Sequence, residues 1–246
     1  MDPQRHAAAL THRASERHGE VREDRRLWRM LDQARDLVLD ERAAAGLASG
    51  EPVVLDAWLG PVRALALQLE VTALIGGRHF QPAGIGAARA RVMAPEVRRD
   101  SVCWFDPEGA AGVQPGAEVA LFLVRLDVLL RYLNRTCFLA LRRVECHAAC
   151  YEPGAFYGAH KDTFAPDILS TNGEAGRVIS YCYYLNDGWI AASGGCLRLH
   201  AATEIDVAPL LDRLVVFRSA DVDHEVLPTT VRRLSLTGWM SRARHE

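Results

Sequence analysis

The sequence predicts an α+β molecule with a mainly β core of the sandwich or jelly-roll kind, supported by helices that come first in the chain. Two observations carry this. After residue 136, short β-like runs follow one another, separated by the turn residues Pro153-Gly154, Asn172-Gly173, Asn186-Asp187-Gly188 and Gly194-Gly195. Before it, apolar residues recur at three- and four-residue spacing in segments long enough for helices. A third observation sets the scale. The chain has 246 residues, 49% of them apolar, which is enough for one domain with a sizeable core and an extension.

The first 20 or so residues are rich in His, Arg, Glu and Ala and lack periodicity, so a disordered or loosely held arm is expected. Over 21–45, Leu27, Met30, Leu31, Ala34, Leu37 and Val38 recur with helical spacing, and Gly46 and Gly50 close that helix. It either packs on the main domain or mediates self-association. Residues 1–50 therefore read as an extension and 51–246 as the main domain. A strand is expected at 52–59. A helix follows at 61–75, with Val62, Leu65, Leu69 and Ala73 along one face. The Gly- and Ala-rich stretch 76–91 reads as a loop, or a loop with a short irregular strand. A strand at 98–105 ends at Asp106-Pro107, and a loop at 109–116 leads to a strong helix at 118–134. The β region offers strands at 138–151 (broken in the middle), 177–186, 195–200, 213–218, 225–227 and 232–240. There is no internal repeat and no low-complexity linker.

A formal net charge of −2 provides no global basic field, so nucleic acid is not an expected partner. No apolar run approaches the ~20 residues of a membrane span, and the stretch 119–130 is interrupted by Arg125 and Asp127. The polar N-terminus lacks the apolar core of a signal peptide, so a cytoplasmic protein is expected. The six cysteines show no CxxC spacing and read as buried thiols. Cys146, His147 and Cys150 lie in one expected strand with no second ligand pair nearby, so they read as strand residues rather than a zinc site.

The chemistry centres on His160-Lys161-Asp162 and, far downstream, His224. Residues two apart in an extended chain point the same way, so an imidazole and a carboxylate can converge on a metal. Two histidines and one carboxylate on one face leave positions open, an arrangement that suits non-heme Fe(II). Nine residues beyond His224 stands Arg233. In its strand, Arg233, Ser235, Thr237 and Trp239 share one face, and Leu234, Leu236 and Met240 share the other. An arginine in a polar interior needs an anion, best a carboxylate. Either a bound dicarboxylate serves, or Arg233 faces solvent or pairs with Asp223 or Asp212. In the strand at 177–186, Val178, Ser180, Cys182 and Tyr184 share one face and Arg177, Ile179, Tyr181 and Tyr183 the other, and small side chains at 180 and 182 leave room for a co-substrate.

The stretch 148–240 resembles the catalytic core of the hypoxia-inducible-factor-type prolyl hydroxylases and their bacterial relatives. The matching segments are Ala149-Cys150-Tyr151, Tyr157-x-x-His160-x-Asp162, Tyr183-Tyr184-Leu185-Asn186, Gly194-Gly195-Cys196-Leu197-Arg198, Asp212-Arg213-Leu214 and His224-Glu225-Val226-x-Pro228, followed by Arg233 and Trp239. Upstream, Val53-Val54-Leu55-Asp56-x-Trp58-Leu59 and Arg98-x-Asp100-x-x-x-Trp104 are also similar, so the resemblance covers roughly 52–240.

This resemblance implies a double-stranded β-helix that binds Fe(II) through His160, Asp162 and His224. It implies that 2-oxoglutarate chelates the metal, with its distal carboxylate held by Arg233 and the Tyr184 hydroxyl. Tyr151, Leu197, Val226 and Trp239 would line that pocket, with Tyr157 on the substrate side. Arg177 and Asp100 would pair near the substrate entrance. The implied reaction consumes O2 and 2-oxoglutarate, releases succinate and CO2, and hydroxylates a C–H bond, with ascorbate in support. The implied substrate is a prolyl residue in a protein, gripped by loops near 91–98 and 163–176. Two other readings stay open: a hydroxylase of a small molecule or free amino acid, and a non-catalytic barrel used as a binding module.

Overall fold

In the computed structural model, residues 39–77, 79–86, 92–106, 112–163 and 176–242 are described. The expected N-terminal arm and most of the expected 21–45 helix lie outside them. The described residues fall in one compact unit, Leu39–Glu246.

Helix α1 spans Glu41–Ala48, capped by Asp40, whose side chain accepts from the Ala43 N–H at 2.7 Å. It runs through Gly46, which the sequence reading took as a terminator. The left-handed residue that stops it is Gly50, at φ 97°. The helix buries Ala44 and Leu47, and the Tyr132 hydroxyl donates to Leu39 O at 2.6 Å just ahead of it. This segment therefore packs on the main core.

Helix α2, Pro61–Gly76, starts with proline in its first turn, where the missing N–H costs nothing. Its buried residues are Ala64, Leu67 and Val71. The stripe read from the sequence lies outward instead, with Val62 81% and Leu69 71% exposed. Helix α3, Ala117–Cys137, buries Phe122, Leu126, Leu129 and Leu133. The Glu70 carboxylate of α2 accepts from the Glu118 and Val119 N–H groups at 2.8 and 3.1 Å, satisfying donors that the start of α3 leaves open.

The strands are β1 (Val53–Leu55), β2 (Gln81–Pro82), β3 (Ser101–Trp104), β4 (Leu141–Tyr151), β5 (Tyr157–His160), β6 (Arg177–Tyr184), β7 (Leu197–His200), β8 (Glu204–Val207), β9 (Leu214–Arg218), β10 (Asp223–Val226) and β11 (Arg233–Arg242). They form a seven-stranded sheet, β1-β9-β6-β11-β4-β3-β2, and a four-stranded sheet, β5-β10-β7-β8. Every pairing between these strands is antiparallel.

One apolar layer lies between the helices and the large sheet and contains Leu67, Phe122, Leu126, Tyr181, Tyr183, Leu234, Leu236 and Met240. The second contains Tyr151, Tyr184, Leu197, Leu199, Val215, Phe217 and Val226, contributed by both sheets. Strand β11 keeps the expected alternation, its leucines under the helices. Strand β4 is unbroken over 11 residues, contrary to expectation. Its polar residues Glu145 and His147 line a cavity, so they do not interrupt the pairing with β11. In β6, Ile179, Tyr181 and Tyr183 take the helix side and Ser180, Cys182 and Tyr184 the other, as expected. The first turn of the pattern fails, because a register shift lies between Met240↔Ile179 and Ser241↔Arg177. Val178 thus packs with the helix-side core and Arg177 points into the cavity.

Candidate active site

Two strands of the small sheet present the candidate ligands. His160 on β5 and His224 on β10 are direct register partners, and their ring centroids lie 4.3 Å apart. Asp162 follows two residues after His160. Its carboxylate oxygens lie 3.7 Å from His160 Nε2 and 3.5 Å from His224 Nε2. One donor atom from each residue lies within 4.8 Å of the other two, the single such group among the described residues.

Backbone carbonyls set the tautomers. His160 Nδ1 lies 2.8 Å from Gly158 O, and His224 Nδ1 lies 3.3 Å from Val222 O. A carbonyl can only accept, so each Nδ1 carries the proton and each Nε2 keeps its lone pair for a metal. Tyr157 stacks on His160 at 3.7 Å between centroids, and Phe217 meets His224 edge-on at 4.7 Å. Burial, then the neighbouring His224, pushes His160 down to about 4, so its neutral, ligating form prevails near neutral pH. For Asp162, burial acts to raise the pKa. The two imidazoles and hydrogen bonds from Ser180 and Trp239 outweigh it and hold the carboxyl below its ordinary value. Two neutral imidazole nitrogens and one carboxylate oxygen on one face fit a divalent non-heme iron.

The three residues open on a cavity of about 410 Å³. Side-chain exposure falls along its lining, from 62% at Arg143 and 43% at Lys161 to 19% at His160 and 11% at Asp162. Arg233, 1% exposed, marks the blind end. Its Nε donates to Gly195 O at 2.8 Å, and its guanidinium carbon sits between the rings of Tyr151 and Tyr184 at 4.9 and 5.0 Å. Among the described residues no carboxylate pairs with it. Asp223 faces Lys161 at 3.7 Å, and Asp212 accepts from the Tyr183 hydroxyl at 2.8 Å. The internal pairings left open by the sequence are thus absent, and a buried guanidinium without an anion is costly. The Tyr184 hydroxyl is buried with no hydrogen bond of sound geometry, the Cys182 thiol lying beside it. Tyr184 does not itself line the cavity, whereas Tyr151, Leu197 and Val226 do. The cationic fork at the buried end of the cavity fits a carboxylate, with the unsatisfied Tyr184 hydroxyl outside the lining.

Nearer the mouth, the expected Arg177–Asp100 pair is absent. Asp100 is fully buried and held by Arg98 through two bonds, Arg98 Nε–Oδ1 at 2.7 Å and Nη2–Oδ2 at 2.6 Å. Arg98 and Asp100 stand two apart, so their side chains already share one side. Arg177 instead lies 3.4 Å over the Trp239 ring, donates to the Asp162 carbonyl at 3.2 Å and approaches Glu145 at 3.9 Å. Both residues line the cavity, but on different partners. Sequence reasoning also missed a role for Arg98, whose guanidinium lies 4.0 Å over Tyr157, and for His147, buried in the cavity wall beside Trp104 and Trp239. The i, i+2 spacing of Arg98 and Asp100 could have shown their pairing. For His147, strand parity with Tyr151 was the available signal.

A jelly roll that sets two histidines and a carboxylate on one face, with a buried arginine that no described carboxylate pairs with, defines a double-stranded β-helix with a facial triad suited to a metal. Comparison with known proteins gives the family. Residues 146–241 match the model of the 2OG-Fe(II) oxygenase superfamily. The chain is 31% identical over 194 residues to prolyl hydroxylase EGLN3 of Mus musculus, covering 75% of this chain and 76% of that protein. It is 30% identical over 195 residues to Egl nine homolog 1 of Homo sapiens, covering 76% of this chain but 42% of that protein. Against the mouse and rat forms of that relative the share is 45% and 54%, so the chain spans about half the length of these relatives. A crystal structure of a Pseudomonas putida prolyl-4-hydroxylase superposes with a TM-score of 0.67 at 34% identity, covering 82% of this chain and 97% of that one. A Trichoplax adhaerens prolyl hydroxylase, solved with a hypoxia-inducible-factor peptide fragment, shares the fold at a TM-score of 0.68 and 23% identity, covering 82% of this chain and 90% of that one. The chain belongs to the 2OG-Fe(II) oxygenase superfamily and is a homologue of the EGLN prolyl hydroxylases.

Proposed function

We propose that this chain is an Fe(II)- and 2-oxoglutarate-dependent dioxygenase that hydroxylates a prolyl residue in a polypeptide. The observation that carries the reading is Arg233, buried without a carboxylate partner among the described residues at the blind end of the cavity that holds the triad. His160, Asp162 and His224 would hold Fe(II), and Arg233 with the Tyr184 hydroxyl would hold the distal carboxylate of 2-oxoglutarate. When bound, these groups supply the oxidative chemistry: R–H, O2 and 2-oxoglutarate become R–OH, succinate and CO2. The chain's own work is positioning. Backbone carbonyls fix the imidazole tautomers, Gly195 O fixes the arginine fork, and Tyr151, Leu197 and Val226 keep the blind end poor in water. Ascorbate would support the reaction as a reductant that keeps iron ferrous.

A prolyl substrate is favoured by the names of the EGLN3 and Pseudomonas putida relatives. The cavity mouth, lined by Gly84–Gly86, Trp104 and Trp239, offers aromatic and backbone surface to such a segment. No helix among the described residues is long and apolar enough to cross a membrane. The described cysteines are free thiols, which supports a reducing, cytoplasmic setting.

The test is succinate formation from 2-oxoglutarate under air, with Fe(II) and ascorbate, for wild type and for His160→Ala, followed by presentation of proline-containing peptides. Slow uncoupled turnover that vanishes in the variant, and a gain of 16 mass units on proline in a peptide, are the expected results. Turnover stimulated by free amino acids but not by any peptide would overturn the polypeptide substrate. Failure of wild type to bind 2-oxoglutarate in the presence of Mn(II) would overturn the enzyme class.

A further inference from the structure

The triad straddles the fold unevenly. His160 and His224 belong to neighbouring strands of the small sheet, whereas Asp162 lies past the end of β5, ahead of the connection to β6. Paired strands hold the two imidazoles. The carboxylate needs another anchor, and the structure provides one from the large sheet. The Ser180 hydroxyl of β6 donates to Asp162 Oδ2 at 2.7 Å. The Ser219 hydroxyl, one residue past β9, lies 2.8 Å from Ser180 Oγ. Ser180 and Ser219 are 1% and 0% exposed. The backbone is fixed there too, with Ser219 N–H donating to Val178 O at 3.0 Å.

A serine hydroxyl has one proton. Ser180 gives its proton to the carboxylate, so between the two serines Ser219 must be the donor. The chain therefore runs one way, from Ser219 to Ser180 to Asp162. Each bond polarises the next, which strengthens the final donor to the carboxylate. Other contacts meet the same residue. The Arg177 guanidinium takes the Asp162 backbone carbonyl at 3.2 Å, and the Trp239 indole is a further donor to the carboxylate.

We propose that Ser180 and Ser219 are positioning residues of the metal centre, a directed two-hydroxyl relay that ties the carboxylate ligand to the large sheet and orients its free lone pairs toward the metal. The inference rests on Asp162 being a metal ligand. Neither serine touches substrate or co-substrate in this account; Ser219 acts only through Ser180.

That dependence gives the proposal a distinctive test. Mn(II) affinity of the full chain is measured by electron paramagnetic resonance for wild type, Ser180→Ala, Ser219→Ala, the double variant and Ser180→Thr. Removing an outer partner of a metal ligand weakens metal binding by about ten- to a hundredfold. Ser180→Ala should show that loss and Ser219→Ala a smaller one. The double variant should bind no more weakly than Ser180→Ala, because the relay is already cut. Ser180→Thr, which keeps the hydroxyl on a strand-compatible side chain, should restore near-wild-type affinity. Should Ser180→Ala fail to fold, Ser219→Ala and Ser180→Thr still decide the matter. A Ser180→Ala affinity within twofold of wild type, losses at 180 and 219 that multiply independently, or no loss in Ser219→Ala would overturn the relay. His160→Ala serves as the control. If it leaves Mn(II) binding unchanged, the metal-site reading itself fails.

Discussion

Arg233 shows how much a single residue can be asked to do. Its aliphatic stem passes Gly195, its Nε is committed to Gly195 O, and its planar head is flanked by two tyrosine rings. Lysine would keep the charge but lose the Nε bond and the planar fork. Arg233→Lys should therefore weaken 2-oxoglutarate binding strongly. Removing one partner of a buried pair altogether costs about 3–5 kcal/mol, or roughly 10²–10⁴-fold in affinity, and a lysine, which keeps the charge but not the fork, should lose the lower part of that range. Titration of 2-oxoglutarate into the Mn(II) form checks this, and a loss below fivefold would count against a carboxylate at the blind end. The glycine beneath the stem matters too. Gly195 has φ 64°, and a Cβ there would lie 3.2 Å from Arg233 Cδ and 3.1 Å from Trp189. Gly195→Ala should cost about 1–3 kcal/mol from the left-handed backbone alone, read by denaturant unfolding, and should weaken co-substrate binding in parallel.

At the scale of elements, β11 is the organising strand. It lies between β6 and β4, presents Arg233, Ser235, Thr237 and Trp239 to the cavity and buries Leu234, Leu236 and Met240 beneath the helices. Gly238 keeps its pairing intact, since a methyl there would collide with Glu145 O and crowd the Tyr181 hydroxyl. Gly238→Ala should leave little soluble folded protein, or lower the urea midpoint by more than Gly195→Ala does, because the obstacle is backbone rather than a flexible side chain. This strand was legible in the sequence because two-residue alternation needs only one buried face to be visible. The same rule placed Ser180, Cys182 and Tyr184. It failed at Arg177, because a bulge shifts the count by one and leaves no compositional mark. Short strands such as β5 and β8, of four residues each, lack the length for a period to emerge. The outward stripe of α2 misled for another reason. Apolar residues surround that helix, so periodicity did not single out the buried face. The triad and Arg233 were legible through spacing and through resemblance. The Arg98–Asp100 pair was passed over in favour of a long-range partner, although local spacing already provided one.

For the molecule as a whole, the two sheets are joined at the candidate metal site by unlike means. The imidazoles come from the small sheet, and the carboxylate is bonded to Ser180 of the large one. A cation bound by all three would thus tie the sheets together. Metal removal should lower the melting temperature, and Mn(II) at a hundredfold excess over its Kd should restore about 2.7 kcal/mol. Differential scanning calorimetry with chelator and with added Mn(II) measures it, with His224→Ala as the control that should no longer respond. An equal response in that variant would show that the ion acts elsewhere.

The gradient of exposure along the cavity has a consequence for traffic. Whatever sits against Arg233 occupies a dead end, while the triad and then Trp239, Arg143 and Lys161 line the way out. A polypeptide lying across that mouth would cork it. Were a polypeptide to lie there, a small acid bound against Arg233 would have to arrive before it and its remnant leave after it, a queue with one door.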